Sequence, residues 1–269
     1  MKIQRDNVNI AYSEHGNGDI SLLLVHGSFI NKEYWSHQVK YFSKKYHVVT
    51  MDLGGHGESG KDRNSWTVED FGKDVAAVID QLRLNKVILI GHSLGGDAIL
   101  EAAVANPGPI IGFIGIDNFK MAASPLPLTV QQQADNILES LRKDFAKTSE
   151  NYARMVLLTK ETDQQTTERI INDYRSAYPE MGVASLHSVF HYWQRERELL
   201  QQLPFKLHLI NCDYFPTNEE PLKKYAGSGY EIISIHATSH FPMIEVPEQF
   251  NKVLEKTIEK ILSDQTKVT

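Results

Sequence analysis

Compact apolar runs alternate with helical patterns over the first 117 residues. Ser21–Val25, His47–Met51, Lys86–Ile90 and Ile110–Ile116 are the apolar runs, each the length of a strand buried on both faces. Between them lie a helix-like stretch around Trp35–Phe42, a segment with Phe71, Val75, Val78, Ile79 and Leu82 at helical spacing, and the Ala/Leu-rich Leu94–Ala105. Thr67-Val-Glu-Asp70 reads as a capping box ahead of the second of these. At the N-terminal end, Lys2–Arg5 and Val8–Tyr12, split by Asp6-Asn7, predict a hairpin. Strands alternating with helices predict an α/β fold, a mostly parallel sheet with helices on both faces.

The alternation stops near Asn118. From there to Leu203 no strand pattern is evident, while Ile137, Leu138 and Leu141, then Ile170, Ile171 and Tyr174, then Leu186, Val189, Phe190 and Trp193 recur at helical spacing. Strand patterns return at Lys206–Ile210 and Glu231–Ile235, and Pro247–Leu262 predicts a last helix. The expected organisation is one α/β core, residues 1–117 and 204–269, interrupted by a helical insertion over 118–203. Trp193, Phe190 and Met155 are expected mostly in the core, with Trp193 also a candidate to line an apolar pocket under the insertion.

Composition narrows the function classes. At 269 residues, 41% hydrophobic and 23% charged, the chain can bury a large core and is not mainly disordered. The formal charge of −6, with no basic stripe, argues against a nucleic-acid partner. The longest apolar run, Ile110–Ile116, is too short to span a bilayer, so no membrane partner is expected. Cys212 stands alone, which forbids an intrachain disulfide and fits a reducing compartment. The first residues lack the apolar core of a signal peptide. A cytoplasmic location is the expectation. Oligomeric state is not legible.

The most informative segment is Gly91-His92-Ser93-Leu94-Gly95-Gly96. It matches G-x-S-x-G, directly after a strand pattern and directly before a helical one. Such a turn exposes the serine hydroxyl in a strained conformation, and bulky side chains at positions 91 and 95 would collide with backbone. An ordinary glycine turn between strand and helix is the plainer alternative. No metal-ligand pattern is present: His187 and His191 are four apart but lack a His-Glu-x-x-His context, and a surface or cavity role is expected for them. No Gly-rich phosphate or dinucleotide loop follows a strand, so no cofactor is expected. Asp97 reads as a helix-start charge and Cys212 as a buried thiol.

Four segments in order give the chain a family resemblance: His26-Gly27-Ser28-Phe29, Asp52–Ser59, Gly91–Gly96 and His240-Phe241-Pro242-Met243-Ile244-Glu245. It resembles the α/β-hydrolase-fold proteins that carry a cap domain. The resemblance implies Ser93 as nucleophile, His240 as base, and an oxyanion hole from the backbone N–H groups of Leu94 and Ser28, with Phe29 as an alternative donor and pocket residue. His26 is expected to hold its loop rather than react. Two departures stand out. Gly54 lies where relatives often have an arginine, and Ser239 replaces a usual glycine.

The acid that orients the imidazole has two candidates. Relatives usually carry it after the penultimate strand, where an ungapped match places Phe215 and Asp213 comes two residues early. Others carry it after the preceding strand, where Asp117 stands; Asp117 is slightly preferred. Together these imply a serine hydrolase of a small or medium apolar ester or related acyl compound, without a cofactor. A thioesterase or carbon–carbon bond hydrolase shares the machinery, and a small-molecule sensor that keeps these residues is the reading from another class.

Overall fold

The four compact apolar runs become neighbouring strands of one sheet in a computed structural model that describes residues 1–266. In chain order the first elements are β1 (Lys2–Arg5), β2 (Val8–His15), β3 (Ser21–Val25), α1 (Ser36–Phe42), β4 (His47–Met51), α2 (Val68–Gln81), β5 (Val87–His92), α3 (Leu94–Ala105) and β6 (Ile110–Ile116). Helices α4 (Leu128–Lys143), α5 (Phe145–Tyr152), α6 (Gln164–Ser176), α7 (Pro179–His191) and α8 (Trp193–Gln202) follow with no strand between them. The chain re-enters the sheet through β7 (Leu207–Cys212), α9 (Glu219–Tyr225), β8 (Tyr230–Ile235), α10 (Pro242–Glu245) and α11 (Pro247–Thr266).

The strand order is β1-β2-β4-β3-β5-β6-β7-β8. β1 and β2 pair antiparallel as a hairpin, β2 pairs antiparallel with β4, and every later pair is parallel. Every residue of β3 and β5 is buried, which is why these strands read as unbroken apolar runs. Helix α2 packs on α3, and α1 packs on α11. Thr67 caps α2 by accepting from the Asp70 amide at 3.3 Å. Residues 94–103 of α3 are buried all round, so its apolar character marks a core helix rather than one apolar face.

Two differences from the expected elements have plain causes. β5 and β7 run two residues past their apolar runs, because His92 pairs with Ile116 and Cys212 with Ile235 in the sheet, which hydropathy does not register. Met155 is not in the core but 83% exposed, carried outward by a π turn at Ala153–Leu157 whose wider coil breaks the 3.6-residue period.

The chain runs from β3 outward to β4 on one side and from the adjacent β5 outward to β6 on the other, and this divergence opens a crevice at the carboxyl ends of the strands. The loops after β3, β5, β6 and β8 all emerge along that edge. Among the described residues, no helix is long and apolar enough to cross a membrane.

Candidate active site

Ser93 lies between the last residue of β5 and the first of α3, with φ 51° and ψ −126°. A non-glycine residue there is strained. The surroundings over-determine it: the Ser93 amide donates to Ile116 O at 3.0 Å, and Ser93 O accepts from the Gly96 amide at 2.7 Å and from Asn118 Nδ2 at 2.8 Å. A Cβ at Gly91 would strike the Gly95 carbonyl, and one at Gly95 would lie 2.5 Å from His26 O. The two glycines therefore permit the turn. Ser93 is left partly exposed while Leu94 heads a core helix.

The loop after β3 closes on this turn. A Cβ at Gly27 would lie 3.0 Å from Ser93 Cβ, so the backbone leading into Ser28 abuts the serine. His26 ties the loop down: Nδ1 donates to Gly27 O at 2.7 Å and Nε2 accepts from the Leu53 amide at 3.1 Å. Burial lowers its pKa and keeps it neutral, as the acceptor nitrogen requires. Phe29, at φ 64°, is buried between the rings of Tyr174 and Phe145, with centroids 5.1 and 5.6 Å away. The vacancy left by glycine at position 54 is filled from elsewhere. The guanidinium carbon of Arg63 lies 2.9 Å from where a Gly54 Cβ would be, and Arg63 pairs with buried Asp74 at 2.8 Å.

His240 follows β8. Its amide donates to Leu157 O of the π turn at 3.1 Å, and its carbonyl accepts from His92 Nε2 at 2.8 Å. The amides of Ser239 and Phe241 both donate to Glu245, and the Ser239 hydroxyl adds a third bond to it. Ser239 thus brings a tether that a glycine lacks. The ring nitrogen Nδ1 lies 2.6 Å from Asp117 Oδ2. Asp117 is 3% exposed, at φ 44°, directly after β6. Burial alone would raise its pKa, but the hydrogen bond and charge of His240, with the ammonium of Lys120, outweigh burial and hold it at about 2.

Asp213 goes elsewhere. Its carboxylate meets His236 Nδ1 at 2.6 Å on the surface, with side chains 48% and 70% exposed. Phe215, at the usual acid position, is 44% exposed. Trp193 lies with Phe190 on a cavity of about 170 Å³ walled by Asp97, Asn118 and Glu196 but not by Ser93 or His240. Asp97 is no surface charge at a helix start. It is 6% exposed, and burial, then Glu196 and Glu101, push its carboxyl well up, with Asn118 Nδ2 donating to it at 3.2 Å. Cys212 is buried and its thiol is pushed up by burial and by Asp117. His187 and His191 stack at 4.4 Å on a cleft of about 950 Å³ between α7 and Trp66. Among the described residues, no group of three or more His, Cys, Asp or Glu could hold a metal ion.

Lys120 and Tyr214 were not foreseen. Lys120 Nζ lies 2.6 Å from Asp117 Oδ1, and the Tyr214 hydroxyl donates to Oδ2 at 3.1 Å. A lysine three residues past an aspartate is common, and nothing local marks it.

Residues 20–160 match a family model described as the alpha/beta hydrolase fold. A succinate-derivative hydrolase of Acinetobacter baylyi, (E)-2-((N-methylformamido)methylene)succinate hydrolase, is 36% identical over 102 residues, 38% of each chain. The match thus spans well under half of that relative. The Karrikin insensitive 2 receptor CA of Petunia hybrida is 22% identical over 90% of this chain and 93% of its own. Among solved structures, a thermophilic esterase from Thermogutta terrifontis superposes with a TM-score of 0.81 at 22% identity, covering 97% of this chain and 98% of the other. That likeness is one of fold. With its strand order, its strained serine turn and this family match, the chain belongs to the α/β-hydrolase-fold family.

Proposed function

We propose that the chain is a serine hydrolase of a small or medium apolar ester or related acyl compound, working through Ser93, His240 and Asp117. Its main support is the buried 2.6 Å contact between His240 Nδ1 and Asp117, on the same sheet edge as a serine at φ 51°. Asp117 accepts a hydrogen bond from Nδ1–H, which leaves Nε2 as the basic nitrogen. His240 takes the Ser93 proton as the hydroxyl attacks the acyl carbon. The oxyanion rests on the Leu94 and Ser28 amides. His240 protonates the leaving group, and a water activated by the same ring releases the acid. In this reading the partner is a small molecule, not a nucleic acid or a membrane, and the setting is the cytoplasm. A thioesterase or a carbon–carbon bond hydrolase uses the same steps, so relative kcat/KM on esters, thioesters and diketones decides among them.

A second reading has its own support. A relative aligned over 93% of its length is a receptor; in this second reading Ser93, His240 and Asp117 of this chain hold a sensed ligand and turn it over slowly. Labelling with a fluorophosphonate, followed by mapping the modified residue, tests the first reading. Modification at Ser93 and loss of ester turnover in Ser93→Ala are expected. Full esterase activity in that variant would overturn it. Ligand-dependent thermal shift with negligible turnover would favour the sensor.

A further inference from the structure

Four donors converge on the Asp117 carboxylate. Oδ2 receives His240 Nδ1 at 2.6 Å and the Tyr214 hydroxyl at 3.1 Å. Oδ1 receives the Cys212 amide at 2.8 Å and Lys120 Nζ at 2.6 Å. Orienting an imidazole needs only the first of these contacts and something to fix the carboxylate, which the amide supplies. The ammonium does something further. It is held in place, donating to Cys212 O at 2.7 Å and lying 4.1 Å from the centre of the Tyr214 ring. With its side chain 10% exposed, its charge is poorly screened by solvent.

A carboxylate beside an imidazole favours the imidazolium; a cation on the same carboxylate opposes it. We propose that Lys120 is a positioning residue that lowers the basicity of His240 through Asp117, so that the ring stays neutral, and able to take a proton, at lower pH than a bare carboxylate would permit. The inference rests on the Ser93–His240–Asp117 reading above.

The other ionisable groups around the ring do not duplicate this. His92, at the end of β5, has its ring centre 4.6 Å from that of His240, and burial keeps it neutral. Burial also raises Cys212 on β7, Tyr214 after it and Tyr152 at the end of α5, which holds all three uncharged. Glu245 on α10 is tied to the amides on either side of His240 and is the same in every variant considered. Lys120 is the cation in contact with Asp117.

The rate of fluorophosphonate labelling at Ser93 against pH reads the base without a known substrate. Lys120→Met and Lys120→Gln, the second keeping a neutral donor, are expected to move the midpoint up by about one pH unit. Lys120→Arg keeps the charge and holds the midpoint within about 0.3 unit. The same shift is expected for the His240 imidazole by NMR titration in a Ser93→Ala background, which needs no reactive serine. The two proposals fail separately. No labelling of Ser93 in the native protein overturns the hydrolase reading, whereas an unmoved midpoint in folded Lys120→Met or Lys120→Gln overturns this one. Failure of both neutral variants to fold, with Lys120→Arg folded, assigns Lys120 to the fold and overturns it as well.

Discussion

Two aspartate–histidine pairs stand a few residues apart along the sheet edge, and both close to 2.6 Å. Asp117–His240 has side chains 0% and 8% exposed; Asp213–His236 has side chains 48% and 70% exposed. Residue type and distance are the same, yet the consequences differ. In the buried pair little water competes for either partner, so the carboxylate's orientation and charge reach the imidazole nearly whole. In the exposed pair, water solvates both groups and salt screens them. A contact distance alone does not decide what such a pair can do; what surrounds it does.

The sharpest way to break that contrast is to neutralise each acid in turn. Asp117→Asn is expected to lower kcat on a p-nitrophenyl ester by about 10³–10⁴-fold, since the amide no longer selects the tautomer with a free Nε2. Asp213→Asn is expected to change it by less than about twofold. Comparable losses in both variants would show that burial is not what separates the pairs.

How far each pair could be foreseen follows the range of the interactions. The serine turn was legible because its demands are local: Gly91 and Gly95 lie within two residues of Ser93 and are required by the backbone contacts of that one turn. The position of His240 in the loop after the last strand was legible from chain order. The choice between Asp117 and Asp213 was not, because it depends on where β6 ends beside β7. The Asp117 amide donates to Ile210 O at 2.9 Å, which turns its side chain inward, while the Asp213 amide is fixed by Ile235 O at 3.2 Å with its side chain outward. Lys120 and Tyr214 reach Asp117 by the path of two loops, which carries no periodic signal. Arg63 shows the same limit from another side: nothing near Gly54 in sequence tells that the Arg63 guanidinium fills the space beside it. In the insertion, helical spacing told that a face is buried but not against what. That is why Phe145 against Phe29, or Met155 in a π turn, could not be read.

A smaller effect sharpens the contrast through stability. Asp117 is held at about 2 against an ordinary 3.8, a depressed carboxylate. A depressed value means stability that is fully present above the ordinary pKa and is lost as pH falls through the folded one. The stability gap between native protein and Asp117→Asn is therefore expected to shrink by about 2 kcal/mol between about pH 5 and pH 2. Urea unfolding at a series of pH values measures it. Asp213 is also lowered, chiefly by its hydrogen bond to His236, but its exposure leaves that shift open to screening. A gap for Asp117→Asn that stays constant across this range would mean that its pairing is no stronger in the fold than in the unfolded chain.

The smallest expected effect belongs to the exposed pair itself. The Asp213–His236 attraction joins two solvated side chains, so it is worth little to the fold. Removing it with His236→Gln is expected to lower Tm by about 1 °C or less. Half-molar salt should shrink even this difference, because it weakens ion pairs between solvent-exposed groups. Ester turnover in the same variant should stay within about twofold of native. A Tm loss undiminished by high salt, or a clear drop in turnover, would tie this surface pair to the buried one and dissolve the contrast between them.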